Sequence, residues 1–185
     1  MGDQTLQRTP LFQWHTVHGG KIVPFAGWEL PVQYTGVVAE HQAVRERAGL
    51  FDVSHMGELT VQGPDALRFL QQMSCNDLSK IGDGKAQYNA LLNEQGGVID
   101  DIIVYREGAD NFFVCVNAVN TAEDFAWLAA RAKEFNVQVR NVSAEYGQIA
   151  IQGPCARNIV ARRAPEVSAI APFHFKRLTY LGVPV

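Results

Sequence analysis

Two adjacent aspartates, Asp100 and Asp101, lie in the run Gly96-Gly97-Val98-Ile99-Asp100-Asp101-Ile102-Ile103-Val104-Tyr105, with β-branched apolar residues on both sides. Such a run belongs in a sheet, where an unpaired carboxylate is costly. Side chains alternate across a strand, so Asp101, Ile103 and Tyr105 share one face and Asp100, Ile102 and Val104 the other. One aspartate sits at a rim or is held by backbone N–H groups. The other, Asp101 beside Tyr105, is the one placed for chemistry. A fixed carboxylate stabilises positive charge, orients an amine by hydrogen bonding or relays a proton. The competing reading is an aspartate that caps a hairpin turn.

Other chemistries find little support. Cys75, Cys115 and Cys155 fit no zinc or redox spacing, and Cys115, inside Phe112-Phe113-Val114-Cys115-Val116, reads as a small core residue. His15, His18, His41, His55 and His174 show no metal-ligand spacing, so no metal site is expected. The chain has no Walker loop, no GxGxxG after a strand and no GxSxG elbow. With 47% hydrophobic and 19% charged residues the composition is that of an ordinary soluble globular protein. The net charge of -3 argues against a nonspecific nucleic-acid binder. No apolar run approaches the roughly 18 residues needed to cross a bilayer. Met1–Arg8 lacks the apolar core of a signal peptide, which gives a cytoplasmic location as the simplest expectation.

The elements that must position the aspartates follow from periodicity. Leu11–His18 reads as a short helix with Pro10 at its start, Lys21–Phe25 as a strand, and Val37–Arg47 as a helix. Between them, Ala26–Tyr34 is rich in Gly, Pro and aromatics and is expected to be an ordered loop. The next unit runs strand Glu58–Gln62, helix Pro64–Met73, strand Gln87–Leu92, turn Asn93–Gly97, strands Val98–Arg106 and Asn111–Val116, helix Thr121–Phe135 and strand Val137–Val142. The order β-α-β-β-β-α-β is close to a ferredoxin-like split unit with one extra strand. Gly57–Ala66 then parallels Gly147–Ala156: in both, a strand meets Gln-Gly-Pro and a helix begins. A strand is expected over Phe173–Tyr180. Its hairpin partner is unfinished at Val185, which points to the front part of a longer protein.

Three blocks carry a resemblance: Phe25–Tyr34 (FAGWELPVQY), Leu50–Glu58 (LFDVSHMGE) and Asn93–Asp101 (NEQGGVIDD). Over Thr9–Val185 the chain closely resembles the aminomethyltransferases, the T-proteins of the glycine cleavage system. The resemblance implies an α+β fold in which a ferredoxin-like antiparallel-sheet domain, residues 51–143, is inserted into a second, incomplete α+β domain made of residues 1–50 and 144–185. It implies transfer of a one-carbon unit from the aminomethyl-lipoyl arm of H-protein to tetrahydrofolate as co-substrate, with release of ammonia and formation of 5,10-methylenetetrahydrofolate. The partners are then lipoylated H-protein and folate, with no nucleic acid and no membrane.

The family's essential carboxylate matches Asp101. There it would stabilise positive charge on an iminium-like one-carbon unit and orient the attacking folate amine. Tyr88, Tyr105 and Asn117 match pterin-pocket positions, and Met56 is expected against the pterin face. A hairpin turn centred near Gln95 puts Tyr88 almost opposite Asp101. Trp28 and His55 read as packing residues and Asp52 as a turn cap. Family residues that hold the folate tail lie beyond Val185, so the 1–185 chain alone is expected to bind folate weakly and turn over poorly. Three rivals stay open: the folate module of sarcosine- or dimethylglycine-oxidising enzymes, a folate-binding non-transferase supporting iron–sulfur protein maturation, and a structural module with a dead site.

Overall fold

The computed structural model describes residues 5–185. Met1–Gln4, part of the N-terminal segment read as lacking a signal peptide, lie outside them. The chain divides into two units, one from the N-terminus to His55 with Gly147–Ala169, the other Met56–Tyr146 with Ile170–Val185. Both mix helix and strand, and the α+β class expected from the sequence holds. No helix among the described residues is long and apolar enough to cross a membrane.

The first unit opens with β1 (Gln7–Arg8), α1 (Phe12–Val17), β2 (Lys21–Phe25) and β3 (Trp28–Gln33), in a sheet ordered β1-β3-β2. The segment expected to be a loop is thus largely strand. Phe25 pairs with Trp28 across a two-residue turn in which Ala26 and Gly27 both take positive φ, 51° and 83°. That geometry matches the right-handed twist of a hairpin. Pro31 is tolerated because β1 covers only Trp28 and Glu29, so the strand has one neighbour beyond them. α2 (Val37–Glu46) and β4 (Gly49–Asp52) follow.

The second unit holds β5 (Gly57–Gln62), α3 (Ala66–Met73), β6 (Lys85–Leu92), β7 (Val98–Gly108), β8 (Asn111–Val116), α4 (Thr121–Arg131) and β9 (Gln138–Asn141). The five strands form one sheet in the order β6-β7-β8-β5-β9, every neighbouring pair antiparallel. One sheet face carries Leu59, Val61, Leu91, Ile102, Val104, Phe112 and Val114, all fully or almost fully buried. Phe69 and Leu70 of α3 and Leu128 of α4 close the core over them. At roughly 1.5–3 kcal/mol for each large apolar side chain, this layer is the main stabilising term of the unit.

The chain returns to the first unit through β10 (Ile149–Gln152), paired antiparallel with β4, and α5 (Ala156–Ala161). The two Gln-Gly-Pro corners have the same form. Gly63 and Gly153 take φ of +134° and +119°, and a Cβ on either would lie within 2.4–2.6 Å of a backbone carbonyl, from Asn136 or Val44. The last segment differs from expectation. Only β11 (Thr179–Tyr180) and β12 (Val183–Pro184) form a short hairpin. Residues 170–185 belong to the second unit, and of residues 144–185 only Gly147–Ala169 lie in the first. Ala86 donates its N–H to the Phe173 carbonyl (2.8 Å), Phe175 donates to Gly84 (3.0 Å), and the Phe175 ring lies edge-on to Tyr105.

Candidate active site

β7 splits its aspartates between the two sheet faces. Asp100 lies on the core face with Ile102 and Val104 and is 4% exposed; Asp101 is exposed on the opposite face. The register pairs Asp101 with Ala90 and places Tyr88 opposite Ile103, one step along the same face. Tyr88 is therefore diagonal to Asp101 rather than opposite, and its longer side chain spans the difference. The Tyr88 hydroxyl donates to Asp101 Oδ2 at 3.0 Å. That hydrogen bond to the carboxylate holds the phenol above its ordinary pKa, so it stays a donor.

Asn117 directly follows β8 and holds Asp101 from the other side. Its Nδ2 donates to Asp101 Oδ1 (3.0 Å) and to the Asp101 carbonyl (3.1 Å). The same Nδ2 donates to Asp100 Oδ1, and the Asn117 backbone N–H donates to Asp100 Oδ2, both at 2.9 Å. The amide nitrogen is thus committed to the protein, and Oδ1 is the acceptor that the Asn117 side chain has left. Tyr105 shares the Asp101 face but makes ring contacts instead, with Phe113 at 5.8 Å and Phe175 at 5.5 Å between centroids. Its burial, with Cys115 nearby, raises the phenol pKa. Met56 directly precedes Gly57, which pairs with Val116, and so lies at the same sheet end as Asn117. Cys115 is buried as expected, though on the Tyr105 face, between Ile103 and Glu58. Burial pushes the Glu58 carboxyl up to about 7 against the opposing effect of Ser143.

Beneath Asp101 is a network that sequence reasoning missed. Asn120 stands at the N-cap of α4 yet makes no capping bond; its Nδ2 donates to Asp100 Oδ1 at 2.7 Å instead. Asp124, one turn into α4, is completely buried beside Asp100, and neither of its carboxyl oxygens meets a donor. Burial alone raises the Asp100 carboxyl, but the bonds from Asn117, Asn120 and Asp124 outweigh it and hold the group below the usual carboxylate range. The available signal was the spacing Asn117-x-x-Asn120-x-x-x-Asp124 immediately after a strand. Asn and Asp there read as turn and cap residues.

The first unit holds a separate polar cluster. His15, 4% exposed, reaches Tyr34 Oη with Nδ1 (2.5 Å) and Asp52 Oδ2 with Nε2 (2.8 Å). Asp52 also accepts from the Thr9 hydroxyl and the Ser54 N–H. It is a turn cap, as expected, and also an anchor for α1. His55 packs edge-on to Phe25, consistent with a packing role. No group of three or more His, Cys, Asp or Glu among the described residues is arranged to hold a metal ion.

The family model described as the GCVT N-terminal domain matches residues 11–185. The chain belongs to the GCVT N-terminal domain family. Relatives of this GCVT-family chain include an aminomethyltransferase of Staphylococcus haemolyticus, 48% identical over 93% of this chain and 48% of the relative. Another, from Chlorobium phaeovibrioides, is 49% identical over 96% of this chain and 49% of the relative. Among solved structures, the glycine cleavage system aminomethyltransferase T from Bartonella henselae matches at a TM-score of 0.82 and 39% identity, over 86% of this chain and 44% of that one. The chain spans about half the length of the relatives it matches.

Proposed function

We propose that this chain provides the carboxylate-bearing part of an aminomethyltransferase of the glycine cleavage system. The reaction moves a one-carbon unit from the aminomethyl-lipoyl arm of H-protein to tetrahydrofolate, releasing ammonia and giving 5,10-methylenetetrahydrofolate. The observation that carries the reading is Asp101: an exposed carboxylate with each oxygen accepting one bond, from Tyr88 and from Asn117. A charged group held at both oxygens is preorganised and needs little reorganisation as charge develops beside it. The family match and the names of the relatives support the same reading.

The residues around Asp101 suit a pterin. Tyr88, Tyr105 and Phe113 offer flat apolar surface, and Asn117 Oδ1 offers an acceptor for a ring N–H. Met56 adds a polarisable thioether at the same sheet end. Tetrahydrofolate, when bound, supplies the amine that accepts the one-carbon unit. Asp101 orients that amine by hydrogen bonding and opposes the positive charge that grows on the transferred carbon. Asn117 and Tyr88 keep it in place. We also infer that Met56–Tyr146 is a ferredoxin-like unit with one extra strand, inserted in the chain of the first unit; the order β-α-β-β-β-α-β supports this.

The test is a titration of the chain with tetrahydrofolate followed by amide and side-chain NMR. The expected shifts centre on Tyr88, Asp101, Tyr105 and Asn117. Shifts confined to the hollow beside α4 lined by Asn93, Gln95, Ile99, Trp127 and Arg131 would overturn the placement.

A further inference from the structure

Asp124 is the most deeply buried charged residue type in the second unit that the reaction does not touch. Its side chain is 0% exposed, and neither carboxyl oxygen has an N–H or O–H donor within reach. Its polar neighbour is Asp100, itself almost fully buried and already accepting from Asn117 twice and Asn120 once. Two carboxylates cannot satisfy each other. Bare, they leave Asp124 an unpaired charge in the core, which is strongly unfavourable. One proton between them removes the conflict: Asp124 becomes an O–H donor and Asp100 stays the anion that collects four hydrogen bonds.

We propose that Asp124 is a protonated positioning residue, whose O–H bridge to Asp100 fixes the Asn117 carboxamide and through it the Asp101 carboxylate. The chain of contacts is continuous. Asp124 donates to Asp100, Asp100 accepts from Asn117, and Asn117 donates onward to Asp101 at 3.0 Å. Asn120 completes the Asp100 shell and abandons its helix cap to do so. The charged groups acting on Asp124 are Asp100 on β7 and Glu123 on its own helix; together with burial they raise its pKa to about 8. Loss of the proton puts a second negative charge against Asp100. Asn117 is then drawn into a site with two anions beneath it, and its bond to Asp101 is the one exposed to water and free to break. As a role in holding a folate-binding carboxylate, the proposal rests on the transferase reading; the proton bridge itself does not.

The experiment follows the Asn117 side-chain N–H₂ resonances through a pH titration of the 185-residue chain and of Asp124→Asn, with tetrahydrofolate affinity measured at each pH on the natural gene product and its Asp124 variants. Asn keeps an N–H donor toward Asp100 and cannot titrate. The expected result is an inflection near pH 8 in the parent, absent in Asp124→Asn. Tetrahydrofolate affinity falls about tenfold across it in the parent alone, the size expected from losing one charge-assisted hydrogen bond. Asp124→Leu, which has no donor, shows the same loss at every pH, and Asp124→Asn restores binding. If Asp124→Leu does not fold, the parent and Asp124→Asn still decide. No inflection in the parent, or the same inflection in Asp124→Asn, overturns the proton bridge. An inflection as expected with no tetrahydrofolate binding at any pH upholds the bridge and overturns the folate reading.

Discussion

Asp101 and Asp100 are adjacent in sequence and opposite in circumstance. One is exposed and held by two neutral donors; the other is buried and surrounded by four. Tyr88→Phe removes one donor from an exposed carboxylate. In the natural gene product we expect a three- to tenfold loss of turnover with folding stability unchanged within about 0.5 kcal/mol, measured by ammonia release and thermal melting. Asp124 makes an opposite kind of prediction. Its carboxyl is raised from 3.8 to about 8, so in that interval the folded chain holds a proton the unfolded chain has lost. Stability then falls as pH rises between these values. Asp100 is lowered, so its contribution is fully present above its ordinary pKa and lost as pH drops below it. Asp124→Asn removes the first dependence. At neutral pH it is expected to unfold about 2–4 kcal/mol harder than the parent, with a flatter profile toward pH 8. A variant no more stable than the parent in urea at neutral pH counts against the buried proton. The faces of Asp100 and Asp101 were legible in the sequence because strand alternation is strict. The partners of Asp100 were not, because a carboxamide at a strand end and an aspartate in a first helical turn look like ordinary capping.

The elements that set this geometry meet at a few tight contacts. Gly57 begins β5 against the turn that carries Asn117; a Cβ there would lie 2.3 Å from Thr121 Oγ1 and 2.6 Å from Val116 Cγ2. Thr121 in turn bonds the Asn117 carbonyl. Gly57→Ala is expected to cost about 1–3 kcal/mol and to shift the Asn117 side-chain resonances, since overpacking moves the turn itself. Gly63→Ala meets both a positive φ and the Asn136 carbonyl, and should destabilise by about 2–4 kcal/mol while leaving the Asn117 resonances in place. Denaturation curves and spectra of the two variants separate these effects. Strand and helix order in Met56–Tyr146 was readable from period and turn residues. Two segments were not. Phe25–Tyr34 was hidden because Ala-Gly as a two-residue hairpin turn is a weak signal and Pro31 argues against a strand. Phe173–Tyr180 looks alternating but supplies only Thr179 and Tyr180 to a strand, with Phe173 at φ 55° interrupting it.

At the scale of the molecule the two units are unequal. The second carries the continuous buried core, while α2 and α5 of the first bury no residue fully. Amide hydrogen exchange should therefore be slowest in β5, β7 and β8 and fast in α2 and α5. The proposed site lies on the better-packed unit, which suits a carboxylate that must stay fixed. Family membership rests on the match over residues 11–185, and the proposed chemistry rests on Asp101. The most direct measurement is ammonia release from aminomethylated H-protein, with tetrahydrofolate affinity in parallel, for the natural gene product and its Asp101→Asn variant. Turnover is predicted to fall roughly 100- to 1,000-fold, the scale of losing one preorganised electrostatic group, well beyond the roughly tenfold loss of folate affinity expected when the Asp101 carboxylate is no longer held. Undiminished turnover in Asp101→Asn would contradict the account.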